Sequence, residues 1–299
     1  MEKGIVSILS NRKTKSVVEK IASYIFTACA IVSIVAVASI TIYMFISGTP
    51  AIFKVGLTEI LFSNVWTPTA QIPQYGILNI ILTSIVGVFL AICIGVPIGI
   101  LTAVNLSEIA NPRVRNIVKS AVELLAGIPS VVYGFFGLVE MVPFIREHIG
   151  GTGSSMLTAS LLLGMMILPT LISVAEAALR AVPDSYYEGA LALGAGHVRS
   201  VFFTVVPAAK SGIMAAIILG MGRAVGETMA VIMVAGNQAR MPIGILEGVR
   251  TMTTNIVIEM GYAADLHRDA LIATAVVLFV FILIINLTFS YLKGKVVQQ

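Results

Sequence analysis

The chain has 299 residues, of which 58% are hydrophobic and only 11% are charged. Its mean hydropathy of +0.99 excludes an ordinary water-soluble domain and indicates a membrane protein. The net charge of +4 does not indicate nucleic-acid binding, because the basic residues are not gathered in one soluble segment with aromatic residues between them.

Six apolar stretches are long enough to cross a bilayer, which takes roughly 20 helical residues. They occupy residues 21–46, 77–104, 120–142, 156–177, 212–236 and 270–292. Backbone groups inside lipid must be hydrogen bonded within the protein, so we expect each span to be helical. The sequence therefore predicts an all-α membrane protein with six transmembrane helices.

The positions of Lys and Arg predict the orientation, since cytoplasmic flanks retain positive charge. With the N-terminus inside, thirteen of the nineteen basic residues fall on inner segments and five on outer segments, while Arg223 lies within the fifth span. We expect a multi-pass protein of a plasma or bacterial inner membrane with both termini cytoplasmic. Residues 36–38 resemble a signal-peptide cleavage site, but the apolar run continues past them and favours an uncleaved span.

The predicted spans divide the chain into regions. Residues 1–20 form a cytoplasmic segment, 21–47 the first helix, 48–76 an outer loop, 77–292 a five-helix core and 293–299 a cytoplasmic tail. The core contains an inner loop at 179–211 and an outer loop at 237–269. In the first outer loop, Trp66 and Tyr75 are interpreted as anchors at the lipid headgroups, with a binding role as the alternative.

The inner loop contains a short helix with signals at both ends. Pro183 and Asp184 predict its start, because proline fits a first helical turn and an acidic side chain caps free N–H groups. Gly194 predicts its end, since glycine adopts the left-handed cap conformation without strain. One face, beside Glu188, is apolar and is formed by Tyr187, Ala190 and Leu191.

The same loop resembles the EAA motif of ABC importer permeases. It has Glu188-Gly189-Ala190, then Gly194 after three residues, then Pro207 thirteen residues further on, with Gly189 in place of the usual alanine. The resemblance implies a type I ABC importer permease of MetI-like fold. In that family these five residues belong to the loop that forms the coupling helix, which docks on a separate ATPase. The alternative is an amphipathic surface helix without a partner.

The fifth span carries charged residues that are costly at membrane depth and are therefore usually kept for function. Arg223 and Glu227 are spaced by one helical turn and are predicted to share a helix face. A guanidinium offers paired donors that suit a tetrahedral oxyanion. Glu227 can pair with the guanidinium when the path is empty, or it can accept a hydrogen bond from a protonated oxyanion. A structural ion pair is the alternative.

A proline interrupts the third span in Gly127-Ile128-Pro129-Ser130. Proline removes one helical hydrogen bond, and broken helices in membranes usually line cavities. Ser130 and Tyr133 are therefore candidates for contact with substrate, and a plain proline kink is the alternative.

Four stretches together resemble the PstC family of phosphate importer permeases: residues 66–68, 75–76, 127–134 and 222–231. The resemblance implies phosphate as substrate and a pathway that includes Arg223, Glu227, Thr228, Ser130 and Tyr133. It also implies a PstA-like second permease, a PstB-like ATPase dimer and a PstS-like extracytoplasmic phosphate-binding protein. A permease for molybdate or sulfate, and an ATP-independent carrier or channel, remain as alternatives.

The chain itself is predicted to have no enzymatic, cofactor or metal site. It lacks a G-x-x-x-x-G-K-[ST] phosphate loop, so ATP hydrolysis is expected of a partner subunit. The three histidines lack metal-binding spacing. Cys29 and Cys93 fall within spans and are interpreted as small core residues. Membrane lipid is expected as the surrounding medium.

Overall fold

The structure, a computed structural model, describes residues 12–241 and 243–297, which are almost entirely helical. In chain order the helices are α1 (Arg12–Val55), α2 (Leu57–Phe62), α3 (Leu78–Val104), α4 (Pro112–Gly127), α5 (Ser130–Phe136), α6 (Val142–His148), α7 (Met156–Arg180), α8 (Asp184–Ala192), α9 (His197–Ser200), α10 (Val206–Ala208), α11 (Lys210–Gly226), α12 (Met229–Val234), α13 (Met252–Met260) and α14 (Asp265–Val297). Short π-helical turns occur at Asn105–Ile109, Gly137–Met141 and Val201–Val205. A small antiparallel hairpin pairs β1 (Trp66–Thr67) with β2 (Gln74–Tyr75).

Within the described residues, four helices are long and apolar enough to cross a membrane, and two bent helix pairs raise the number to six if each pair is one span. One pair, Pro112–Gly127 and Ser130–His148, bends by 98°, and the other, His197–Ala208 and Lys210–Gly226, bends by 70°. The predicted all-α membrane architecture is confirmed. The two bends could not be predicted from hydropathy alone.

The bend of 98° lies inside the predicted third span, so residues 120–127 belong to α4 rather than to a straight membrane helix. Ile128 has an extended backbone (φ −72°, ψ 126°) because it precedes Pro129, which disfavours the helical conformation. The apolar run therefore continues across a point where the chain changes direction.

Helix α1 lies along α14 and leaves most of its described surface uncovered. The aromatic rings of Phe45 and Phe279 meet edge to face between the two helices, with centroids 6.3 Å apart. Cys29 on α1 and Cys93 on α3 are both exposed, so the prediction that they are core residues is wrong. Each occupies a helix face that the protein leaves uncovered.

Small residues bring α3 and α7 close together. A Cβ atom added to Gly95 would lie only 2.8 Å from the Ile167 side chain and 2.9 Å from the Gly164 carbonyl oxygen. One turn further along α3, a Cβ on Gly99 would lie 2.9 Å from the Leu171 Cβ. Such contacts are typical of membrane helices, where close packing replaces the hydrophobic effect as the source of association.

A buried carboxylate links two helices. Glu176 on α7 is only 4% exposed, and it lies 2.8 Å from the Arg180 guanidinium and 3.7 Å from the Lys119 ammonium on α4. The charge of the glutamate is thereby balanced by cations that themselves reach solvent. The Lys119 contact links α4 to α7.

Replacing Gly95 by alanine is expected to lower the free energy of unfolding by about 1–3 kcal/mol, the usual range for overpacking. Gly87→Ala on the same helix is the matched control, because a Cβ there meets nothing within 4 Å. Thermal unfolding of the detergent-purified variants measures both. Equal melting temperatures for the two variants would contradict the close packing of α3 on α7.

Candidate functional site

Arg223 lies in the last turn of α11 and is half-buried. Its Nη1 atom donates a long hydrogen bond of 3.4 Å to the Thr170 hydroxyl on α7. No carboxylate among the described residues comes within 4.0 Å of the guanidinium. The arginine therefore keeps an unneutralised positive charge in the interior of a membrane protein.

Glu227 does not share a helix face with Arg223, and this prediction is wrong. Helix α11 ends at Gly226, and Glu227 is extended (φ −70°, ψ 130°). Its Oε1 atom accepts hydrogen bonds from the backbone N–H groups of Thr228 (3.1 Å) and Ala230 (3.2 Å). The carboxylate thus caps the free N–H groups at the start of α12, a role favoured at a helix N-terminus.

Thr228 completes the break between α11 and α12. It is half-buried, and its hydroxyl donates to the Gly226 carbonyl at 3.2 Å. The fifth predicted span is therefore a discontinuous helix with Arg223, Glu227 and Thr228 at the interruption. Irregular backbone at membrane depth is tolerated where it is buried in protein or lines a cavity.

Tyr133 lies close to this break, and its hydroxyl stabilises the bend between α4 and α5. Tyr133 is buried and donates a hydrogen bond of 2.9 Å to the Leu125 carbonyl, which bridges the bend between α4 and α5. Helix α5 packs on α12 through Gly134, where a Cβ would lie 2.9 Å from the Ala230 Cα.

Ser130 is the first residue of α5 and is half-buried. It lies three residues before Tyr133, directly after the bend. The structure thus places both predicted residues of the third span on the short helix that packs against α12. Ser130 has no hydrogen bond to the fifth-span residues in the described part of the chain.

A narrow cavity lies beside the break and is walled by α3, α7, α12 and the segment around Thr251. Its polar lining consists of Thr83, Ser84, Glu227, Thr251 and Thr253. The cavity measures about 20 Å³, room for roughly one water molecule. The space between these walls is therefore closed to an oxyanion in this conformation.

Helix α8, the predicted coupling helix, has no buried residue. Glu188 and Gly189 are exposed and Ala190 is half-buried, while Leu193 directly after the helix is 92% exposed. Tyr187 lies on the opposite side and packs against the buried cluster that includes Leu179 and Val205. Its hydroxyl lies 2.7 Å from the His197 Nδ1 atom, within hydrogen-bonding distance. One side of α8 therefore packs on the rest of the protein, and the opposite side is exposed.

The end of α8 is the predicted glycine cap. Gly194 has φ +84°, its N–H donates to the Leu191 carbonyl at 2.9 Å, and the Ala195 N–H donates to the Ala190 carbonyl at 3.1 Å. This pair of bonds defines a Schellman motif. Pro207 lies in α10, at the bend of 70° that precedes α11. The chain thus turns sharply on both sides of the segment that joins α8 to α11.

The structure contains a buried polar group that was not predicted from the sequence. Glu259 on α13 is only 6% exposed and contacts Arg250, His267 and Trp66. Trp66 and Tyr75 are both 6% exposed, so their interpretation as headgroup anchors is wrong. Burial also raises the pKa of the Tyr75 phenol. An acidic residue within the apolar stretch at residues 256–260 was the available signal.

The family follows from comparison with known proteins. Residues 95–298 match the model of the family described as "binding-protein-dependent transport system inner membrane component". The chain belongs to this family.

Relatives extend the match over most of this permease. It is 37% identical over 293 residues to the probable ABC transporter permease protein YqgH of Bacillus subtilis, covering 96% of this chain and 95% of the relative. It is 33% identical over 276 residues to the phosphate transport system permease protein PstC of Xylella fastidiosa, covering 86% and 84%. The PstC protein of Haemophilus influenzae is 31% identical over 271 residues, covering 84% and 85%.

Solved ABC importers share the fold. A bacterial ABC transporter involved in alginate import aligns with a TM-score of 0.63 at 16% identity, over 95% of this chain and 99% of the other. An inward-facing MetNI methionine transporter aligns with a TM-score of 0.57 at 23% identity, over 74% and 94%. The type I, MetI-like permease fold is confirmed, and the chain is a multi-pass transport permease rather than an enzyme.

Proposed function

We propose that this permease is a subunit of an ATP-driven importer of inorganic phosphate and forms half of its translocation pathway. The observation that carries the proposal is the half-buried Arg223 at a helix break, without a carboxylate neighbour in the described part of the chain. A guanidinium in that setting favours an oxyanion. The PstC relatives, at 31–33% identity, support phosphate.

Glu227 gives a reason for phosphate over sulfate. Its Oε1 atom caps α12, and no hydrogen bond reaches its Oε2 atom from any residue that the structure describes. Phosphate still carries a proton near neutral pH and can donate it in a hydrogen bond to a carboxylate, whereas sulfate cannot. Arg223 would attract the anion, and Glu227 would select the protonated one.

The proposed assembly contains a PstA-like second permease, a PstB-like ATPase dimer and a PstS-like extracytoplasmic phosphate-binding protein. Both termini of this chain are cytoplasmic in the proposal, which places α8 on the ATPase side. The exposed Glu188 and Leu193 support docking there, because an apolar side chain that is 92% exposed beside a carboxylate is suited to a protein partner. ATP-driven closure of the ATPase pair would move α8 and, through the bend at Pro207, α11 with Arg223.

Uptake measurements on membrane vesicles that contain the complete assembly test the substrate. We expect ATP-dependent uptake of labelled phosphate that excess sulfate or molybdate does not inhibit. Uptake of either competitor at the phosphate rate would show that the substrate is a broader class of oxyanions rather than phosphate alone. Uptake without an ATPase in the purified complex would indicate a carrier or channel instead.

Arg223→Gln is expected to lower phosphate uptake by about a hundredfold or more while the complex still assembles, because glutamine lacks the charge and the paired donors. Arg240→Gln is the matched control, since Arg240 lies in the outer loop and pairs with Glu247 at 3.2 Å on a partly exposed surface. Labelled uptake and co-purification measure both variants. Wild-type uptake by Arg223→Gln would disprove the pathway role.

Gly194→Val is expected to lower phosphate-stimulated ATP hydrolysis by about tenfold, because a branched residue is strained by roughly 1–3 kcal/mol in the left-handed conformation. Gly196→Val serves as the control, since Gly196 has φ −74° and open space around an added Cβ. ATPase assays on reconstituted complexes compare the two. Equal stimulation in both would show that the turn after α8 does not transmit motion.

A further inference from the structure

Three side chains from separate parts of the outer region meet at the buried carboxylate of Glu259. Glu259 accepts hydrogen bonds from Arg250 Nη1 at 2.6 Å and Trp66 Nε1 at 2.9 Å, and its Oε2 lies 2.8 Å from His267 Nε2. These four residues are here named the Glu259 cluster. A carboxylate that is 6% exposed needs such partners, because an unpaired buried charge is strongly unfavourable.

The Glu259 cluster connects the β1–β2 hairpin to the start of the last span. Trp66 belongs to β1, Glu259 to α13 and His267 to the first turn of α14. The rings of Trp66 and His267 also meet edge to face, with centroids 6.1 Å apart. In the turn of the hairpin, residues 69–73 are exposed. A solvent-facing turn is therefore tied directly to a buried ion pair.

Arg250 extends the connection toward the broken fifth span. Besides Glu259, it donates to the Asn237 carbonyl at 2.9 Å and to the Asn255 Oδ1 atom at 3.0 Å. The neighbouring Val249 N–H donates to the Ala235 carbonyl at 2.8 Å, directly after α12. The segment that carries Arg250 is thereby held against the end of α12.

The same segment forms one wall of the closed cavity. Val249, Thr251 and Thr253 line it. The Met252 N–H donates to the Ser84 hydroxyl on α3 at 2.9 Å, and the Thr253 hydroxyl donates to the Glu227 carbonyl at 3.1 Å. The segment therefore bridges α3 and the break at Glu227, so opening the cavity on this side requires it to move.

We propose that residues 249–260 are the outer gate of the pathway and that Glu259 is the positioning residue that latches this gate shut. Displacement of the hairpin withdraws the Trp66 donor from Glu259 and weakens the hold on Arg250, which frees the segment from α3 and from Glu227. A binding protein that docks on the exposed hairpin turn would supply that displacement. The inference rests on the proposed function only for the direction of the pathway.

The test measures access to the cavity rather than transport. A cysteine at Gly87 is the reporter, since Gly87 lines the cavity and an added Cβ meets nothing within 4 Å. Cys29 and Cys93 are replaced by serine, and the complete assembly in intact cells is labelled from outside with a membrane-impermeant maleimide. A second reporter, Ile72→Cys on the exposed hairpin turn, is expected to label rapidly and shows that the reagent reaches this side.

Glu259→Gln is expected to raise the labelling rate of the Gly87→Cys reporter by about tenfold, the effect of weakening one hydrogen bond between charged groups. Glu247→Gln is the matched control, because it removes a carboxylate of the same outer loop whose partner Arg240 is half-exposed. This control is expected to label at the slow rate of the parent reporter.

Trp66→Phe provides the second variant, because it removes only the indole donor and keeps an aromatic ring. It is expected to label several times faster than the parent, and it decides the question if Glu259→Gln fails to accumulate in the membrane. Labelling of both variants at the control rate would overturn the gate, as would rapid labelling of the parent reporter. Labelling is done without phosphate, so a different transported anion would refute the proposed substrate and leave this result unchanged.

Discussion

Two of the spans are broken, and each break frees backbone groups at a depth where water is scarce. Unsatisfied groups in such surroundings cost several kcal/mol each, so side chains must take the place of the missing helical bonds. The Tyr133 hydroxyl does so for the Leu125 carbonyl, and the Glu227 carboxylate does so for the Thr228 and Ala230 N–H groups. Because Glu227 is occupied in this way, Arg223 has no acidic neighbour in the described structure.

The sequence predicted the helical type of the spans and, if each bent pair counts as one span, their number, because apolar segments of this length are typical of membrane crossings. It did not predict the angles, since hydropathy is the same on either side of a bend such as that at Pro129. The pairing of Arg223 with Glu227 failed for a related reason. A spacing of four residues places two side chains on one face only if the helix is continuous, and α11 ends at Gly226.

Predictions from local chemistry were more accurate than those from long-range pairing. The start of α8 at Asp184 and the left-handed glycine after it depend on a few neighbouring backbone groups, which the sequence specifies directly. Trp66 and Glu259 are separated by 193 residues, and their contact depends on how the whole outer region folds. The interpretation of Trp66 as a headgroup anchor used its residue type alone and could not include that partner.

The broken fifth span also connects α8 with the Glu259 cluster. Helix α11 starts beyond the bend that follows the α8 loop and ends at Gly226. The carbonyl of the next residue, Glu227, accepts a hydrogen bond from the Thr253 hydroxyl. Thr253 belongs to α13, and α13 carries Glu259. A covalent and hydrogen-bonded route therefore connects α8 with α13 through a single helix of 17 residues. Rigid elements transmit displacement, and in the proposed coupling the irregular backbone at both ends of α11 would let this helix pivot.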